Sequence, residues 1–325
     1  MKGSRRSFWA VTLGFAILTI LGVLISTPSS MTAQPNYSDW SAPVNLGPVI
    51  NSTANDAGPA LSKDRLRLYF ASNRSGSYGG SDLWVSQRNR EDEAWGAPTN
   101  LGEVVNSTAD ENTPNISRDG HWLFFMSRRP GSQANPAGVI GFDIYVSYRE
   151  HVHDDFAWQS PVNVGPNVNS PSFDQSPFFL NNEDVGIPQL FFTRTTAVTG
   201  NDIFVSTLLQ DGTFGPAALV AELNSALADA GTSIRFDGLE VFFYSRRSGG
   251  LGNSDLWTAT RETALDPWST PTPLGAVVNS VDLDFDPHIS SDRETLYFTS
   301  TRTGGGALGG QDLWVTTRTK EKHRP

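Results

Sequence analysis

The chain has 325 residues, with 24 Lys and Arg against 34 Asp and Glu, for a net charge of −10. That balance argues against binding a phosphate backbone, which needs clustered cations. With no cysteine there are no disulfides, thiolate metal sites or Cys nucleophile.

Lys2, Arg5 and Arg6 precede an uncharged run from Phe8 to Ile25, which gives way to Ser26-Thr27-Pro28-Ser29-Ser30. A positive start, an apolar middle and a small polar exit predict an export signal over residues 1–33. The apolar run is also long enough to remain as a membrane anchor. Ser4-Arg5-Arg6-Ser7-Phe8 resembles the twin-arginine signal, although the two arginines also serve as an ordinary positive lead. The expected location is periplasmic or extracellular, with membrane attachment only through this segment if it stays uncleaved.

The rest, residues 34–325, is repetitive. Ser81-Asp82-Leu83-Trp84-Val85 returns as Phe142-Asp143-Ile144-Tyr145-Val146 and Asn201-Asp202-Ile203-Phe204-Val205. It returns again as Ser254-Asp255-Leu256-Trp257-Thr258 and Gln311-Asp312-Leu313-Trp314-Val315. Each unit opens on an aromatic, at Trp40, Trp95, Trp158, Phe214 and Trp268. Asn-Ser follows at Asn51, Asn106, Asn169, Asn224 and Asn279, then an acid at Asp56, Glu111, Asp174, Asp229 and Asp284. Pro59, Pro114, Pro177 and Pro287 come next, with Thr232 breaking the pattern.

Within a unit, Ala60-Leu61-Ser62 leads through Lys63-Asp64 into a strand from Leu66 to Ala71. A glycine-rich loop follows from Ser75 to Gly80, then the strand Asp82 to Gln87 and a last one around Ala97 to Leu101. Arg118-Asp119-Gly120 and Phe236-Asp237-Gly238 mark tight hairpins. Four antiparallel strands per unit, recurring roughly every 55 residues, predict an all-β five-bladed propeller. The blades are expected near residues 57–102, 112–165, 175–221, 230–275 and 285–319. The last unit lacks its fourth strand, while Trp40 to Leu46 matches Trp95 to Leu101 with no unit of its own. The N-terminal strand 40–46 is therefore expected to complete the C-terminal blade and close the ring, which removes exposed strand edges.

Pro114-Asn115-Ile116-Ser117-Arg118-Asp119-Gly120, then Leu123-Phe124-Phe125 and Asp143-Ile144-Tyr145-Val146, resembles the TolB-type (WD-like) β-propeller repeat. The resemblance covers nearly all of the chain beyond residue 40. It implies an exported propeller of the kind that serves in binding and cell-envelope assembly. TolB itself is similar to a six-bladed propeller with an added N-terminal domain, whereas five blades and no such domain are found here.

The five acids admit two readings. As a ring at the funnel mouth, they would bind a cation or a hydroxyl-rich ligand. As blade residues, each would cap a turn or pair with the arginine ending the second strand: Arg74, Arg129, Arg194, Arg247 or Arg302. Asp82, Asp143, Asp202, Asp255 and Asp312 begin a buried strand and are expected to accept backbone N–H bonds or an arginine. Asp282-Leu283-Asp284-Phe285-Asp286-Pro287-His288 departs from the repeat. In extended chain its three carboxylates share one side, as a divalent-metal site, as a carboxylate pair for sugar chemistry, or as a solvated loop. His151-x-His153-Asp154-Asp155 reads as a solvated insertion or a metal site, and the long loop Pro130 to Gly141 could shape the funnel mouth with Gly304 to Gly310.

No Gly-x-Ser-x-Gly nucleophile motif is present, and no catalytic residue is assigned. The leading expectation is a non-catalytic scaffold that recognises a protein or glycan of the cell envelope, with no cofactor beyond a structural Ca2+ and no nucleic-acid partner. The alternative is a glycan-processing hydrolase or lyase on a five-bladed propeller.

Overall fold

Each repeat holds three short stretches that become strands: the second and third carry the aromatic and β-branched residues, and the first, poorer in them, pairs with the second. The computed structural model describes residues 37–135, 137–181 and 186–321. The expected export signal, 1–33, lies outside them. The chain begins with β1 (Val44–Asn45). The first blade is β2 (Asp56–Leu61), β3 (Arg67–Ser72), β4 (Asp82–Gln87) and β5 (Thr99–Asn100). The second is β6 (Glu111–Ile116), β7 (Trp122–Ser127), β8 (Asp143–Tyr148) and β9 (Val162–Asn163). The third is β10 (Asp174–Leu180), β11 (Gln189–Thr196), β12 (Gly200–Thr207) and β13 (Ala218–Leu219). The fourth is β14 (Asp229–Ile234), β15 (Glu240–Ser245), β16 (Asp255–Thr260) and β17 (Thr272–Pro273). The fifth is β18 (Asp284–Ile289), β19 (Thr295–Ser300) and β20 (Asp312–Thr317), completed by β1.

All five sheets are antiparallel and four-stranded. The composite blade is real: Val44 pairs with Val315 and Asn45 with Trp314. Ser41 N–H donates to the Thr317 carbonyl at 2.8 Å, and Leu46 N–H to that of Leu313 at 3.1 Å. The core lies between blades. In one such layer, Tyr69, Leu83 and Leu101 of the first blade pack with Ile116, Leu123 and Phe125 of the second.

β2, β6, β10, β14 and β18 line the central channel, and each is bulged at its third residue. Gly58, Thr113, Ser176, Gly231 and Asp286 all have positive φ, between 44° and 64°. The proline that follows in four blades has no N–H to offer a ladder, so the bulge sits where the least pairing is lost. Its effect is to turn the third and fourth residues toward the channel. The glycine-rich loops are glycine-rich because they touch the next blade. A Cβ at Gly79 would stand 1.8 Å from the Ala109 carbonyl oxygen, and one at Gly309 1.9 Å from that of Ala54.

Candidate functional site

Repeated residues turn out to build the blades. Asp56, Glu111, Asp174, Asp229 and Asp284 are fully buried. Each accepts the backbone N–H of the serine four residues earlier, at 2.5–2.7 Å. Each also pairs with Arg74, Arg129, Arg194, Arg247 or Arg302, at 2.5–3.1 Å. Those arginines bond a carbonyl of the preceding loop and lie over two aromatic rings of their own blade, as Arg74 does with Ile50 and with Phe70 and Trp84. Arg194 comes late in its repeat, yet it stands directly opposite Asp174 in the ladder and reaches it through Nε. Burial still pushes Asp174 up to about 6, against the opposing pull of Ser170 and Arg194.

The remaining consensus groups are also spent on structure. Asn51, Asn106, Asn169, Asn224 and Asn279 each clasp the N–H and C=O of one residue, respectively Leu313, Leu83, Ile144, Ile203 and Leu256. Asp82, Asp255 and Asp312 accept two N–H groups each from their glycine-rich loops. Asp143 takes one N–H, from Gln133, and Asp202 takes the hydroxyls of Thr196 and Thr199.

The segment 282–288 is not an alternating comb of carboxylates, because the bulge at Asp286 (φ 47°) breaks the two-residue period. Asp282 is half-buried in the approach loop. Asp284 points into its blade at Ser280 and Arg302. Asp286 lines the channel. His288 is a staple between blades: Leu61 N–H donates to its Nε2 at 3.0 Å. Asn115 and Ser233 occupy the same place in their strands and receive Phe179 N–H and Ile289 N–H. Burial lowers His288 to about 4, in keeping with a neutral ring acting as acceptor.

The 151–155 segment also differs from a solvated insertion. Asp155 is buried and bonds Arg149 Nη1 (2.6 Å), Arg67 Nε (2.8 Å), Gln87 Nε2 (2.6 Å) and the Tyr69 hydroxyl (2.5 Å). It ties the first two blades together. Among the described residues, no three His, Asp or Glu are grouped to hold a metal ion.

What is left is the channel. Its cavity of ≈ 30 Å³ has room for about two water molecules. The lining is mostly Gly, Pro, Thr and Ser, with Asp286 its one carboxyl. Among the described residues, Asp286 has no hydrogen-bond or ion-pair partner. It is part-exposed to the channel but surrounded by protein, and this desolvation pushes its carboxyl up to about 7. Gly231 leaves space for it, since a Cβ there would meet Asp286 Oδ1 at 3.0 Å. A second cavity, ≈ 240 Å³, opens over the first blade and is lined by Ala57 and Asn112, the neighbours of channel residues Gly58 and Thr113.

No family profile matches the chain, and no curated protein is similar to it in sequence. Solved structures do match. An α-L-arabinofuranosidase from Lactobacillus brevis superposes with a TM-score of 0.59 at 12% identity, covering 83% of this chain and 91% of that one. The α-L-arabinofuranosidase PaAbf62A from Podospora anserina, in complex with cellotriose, gives 0.57 at 12% identity, covering 88% and 98%. A thermostable family-43 glycoside hydrolase gives 0.56 at 14% identity, covering 85% and 93%. At such identities the likeness establishes the five-bladed fold. Of the TolB-type resemblance, the superpositions above support the propeller. These neighbours also correct the leading expectation of a non-catalytic envelope scaffold: the structures this chain superposes on are named for glycan-cleaving activities, arabinofuranosidase, family-43 glycoside hydrolase and xylosidase.

Proposed function

We propose that the chain is a glycan-processing hydrolase whose substrate lies over the channel mouth, with Asp286 donating a proton to the leaving glycosidic oxygen. One observation carries the proposal: alone among the acids of the inner strands, Asp286 has no arginine and no hydrogen-bond donor, and it faces the channel. The others point into their blades, each against a serine N–H and an arginine, and so are turned away from a substrate at the channel mouth. An acid raised to about 7 is protonated near neutrality and still gives up its proton readily, as a general acid must.

Glycoside hydrolysis ordinarily uses a second carboxylate to assist the attack on the sugar. Asp110 is the candidate. It lines the adjoining cavity, its Oδ1 is fixed by Ser81 N–H at 3.2 Å, and its Oδ2 is left to act. The fold supports the substrate class, since solved propellers of this shape are named for arabinofuranosidase, xylosidase and galactanase activity.

The test is release of reducing ends from arabinan, arabinoxylan, xylan and β-1,3-galactan by the full chain and by Asp286→Asn. The expected result is hydrolysis of at least one, reduced about 100-fold or more in the variant. Hydrolysis of none, or equal rates for the two proteins, would overturn the assignment.

A further inference from the structure

The cavity over the first blade exists because that blade breaks the repeat. Ala57 on β2 stands opposite Ala71 on β3. The equivalent pairs are Asn112 with Met126, Gln175 with Thr193, Ala230 with Tyr244 and Phe285 with Thr299. Every other blade has at least one larger side chain at this place. Only here do two methyl groups form the floor, and the ≈ 240 Å³ above them stays open.

The polar wall is four carboxamides, the Ser81 hydroxyl and the Asp110 carboxylate, and internal bonds fix how several of them present themselves. Asn73 Oδ1 accepts Asn55 N–H at 2.8 Å, which leaves its Nδ2 to donate. Asn112 Oδ1 accepts the Ser81 hydroxyl at 2.9 Å, which again leaves Nδ2 to donate. Asp110 Oδ2 is left to accept, and the Asn55 and Gln311 carboxamides complete the rim. No Lys, Arg or His lines the cavity among the described residues. Two fixed donors beside a fixed acceptor suit vicinal hydroxyls, each of which gives one bond and takes another. The volume falls below the roughly 300–1,000 Å³ of a drug-sized pocket, so it suits one ring rather than a chain.

We infer that this cavity is a subsite for one neutral sugar residue, so that the substrate is an uncharged glycan and the reaction is hydrolysis rather than elimination. Elimination from a uronate develops negative charge beside a carboxylate and needs a cation or strong donors to hold it. A wall without cations that carries Asp110 repels such a substrate. The inference rests on the glycan reading above and narrows it.

Binding separates the two. The full chain carrying Asp286→Asn, which leaves the cavity intact, is titrated calorimetrically with xylotriose and with trigalacturonate. Ala71→Met then fills the floor with the residue the second blade already uses, and Asn112→Ala removes a donor without touching the core. Each is added to Asp286→Asn, and thermal melting shows that the added change leaves folding intact. The expected result is binding of xylotriose, weakened at least tenfold by either added change, with trigalacturonate bound at least tenfold more weakly than xylotriose. That pattern supports the subsite even if the wild-type chain hydrolyses nothing, in which case only the catalytic assignment fails. Failure of xylotriose to bind, binding unchanged by both added substitutions, or tighter binding of trigalacturonate would each overturn the inference.

Discussion

Asn106→Ala tests whether the repeated asparagines hold the blades. Asn106 Oδ1 accepts Leu83 N–H at 2.8 Å, while its Nδ2 donates to Leu83 C=O at 3.0 Å and to Asn100 Oδ1 at 2.8 Å. Both acceptors keep another donor, since Leu101 N–H bonds the Leu83 carbonyl and Gly102 N–H bonds Asn100 Oδ1. Only Leu83 N–H is orphaned, in a residue with no exposure. An orphaned buried donor costs about 1–3 kcal/mol and each of the two replaceable bonds about 0.5–1 kcal/mol, giving about 2–5 kcal/mol in all. At roughly 2 °C per kcal/mol in a domain of this size, Tm falls by about 4–10 °C. Asn106→Asp sharpens the test, because it keeps the acceptor for Leu83 N–H but turns its second oxygen on two acceptors. That carboxyl must hold a proton, so its folded pKa rises above its unfolded one. The variant then approaches the wild type at pH 4 and falls below Asn106→Ala at pH 8. Urea unfolding followed by tryptophan fluorescence at pH 4, 6 and 8 measures both. A loss under about 0.5 kcal/mol for Asn106→Ala, or a deficit for Asn106→Asp that does not change with pH, would refute the clasp.

Three further outcomes follow from the same contacts. Asp286 has a folded pKa of about 7 against 3.8 ordinarily, so its contribution is intact below about pH 4 and is lost as pH rises through 7. Asp286→Asn should therefore be more stable than the wild type at pH 8, by about 4 kcal/mol at most and less in proportion to channel water. The two should converge at pH 4, and equal unfolding midpoints at both pH values would contradict the lone carboxyl. Asp155→Ala leaves Arg149 and Arg67 without their shared carboxylate and should cost about 3–5 kcal/mol in urea unfolding, whereas a loss below 1 kcal/mol would show the hub is not a buried pair. Deleting residues 37–46 exposes the β20 edge, so self-association on gel filtration and a lower midpoint are expected. A monomer of unchanged midpoint would mean the ring does not need its closing strand.

The fold was legible because each blade repeats its whole chemistry: the acid, the proline, the Asp-Leu-Trp strand and the glycines can be aligned by eye. The closing strand was legible for the same reason, as a unit-opening aromatic with no unit of its own. The site was much less so. Repetition drew attention to Asp56 and its counterparts, whose very recurrence reflects their work within blades. Asp286 is one of three acids in its segment, and strand periodicity does not foresee the left-handed residue that aims it apart from Asp284. In sequence His288 reads with the acids as a ligand candidate, whereas in the fold it holds the interblade place of Asn115 and Ser233. The first-blade cavity left a signal in the Ala57–Ala71 pair, but that signal has meaning only once the cross-strand register is known.

The most direct test of the central claim is the pH dependence of kcat for a neutral glycan substrate, in the wild type and in Asp286→Asn. If Asp286 is the proton donor, wild-type kcat falls about tenfold per pH unit above about pH 7, and the variant shows neither that rate nor that slope. A wild-type profile flat through pH 9, or an Asp286→Asn enzyme as fast as the wild type, would remove Asp286 from the chemistry.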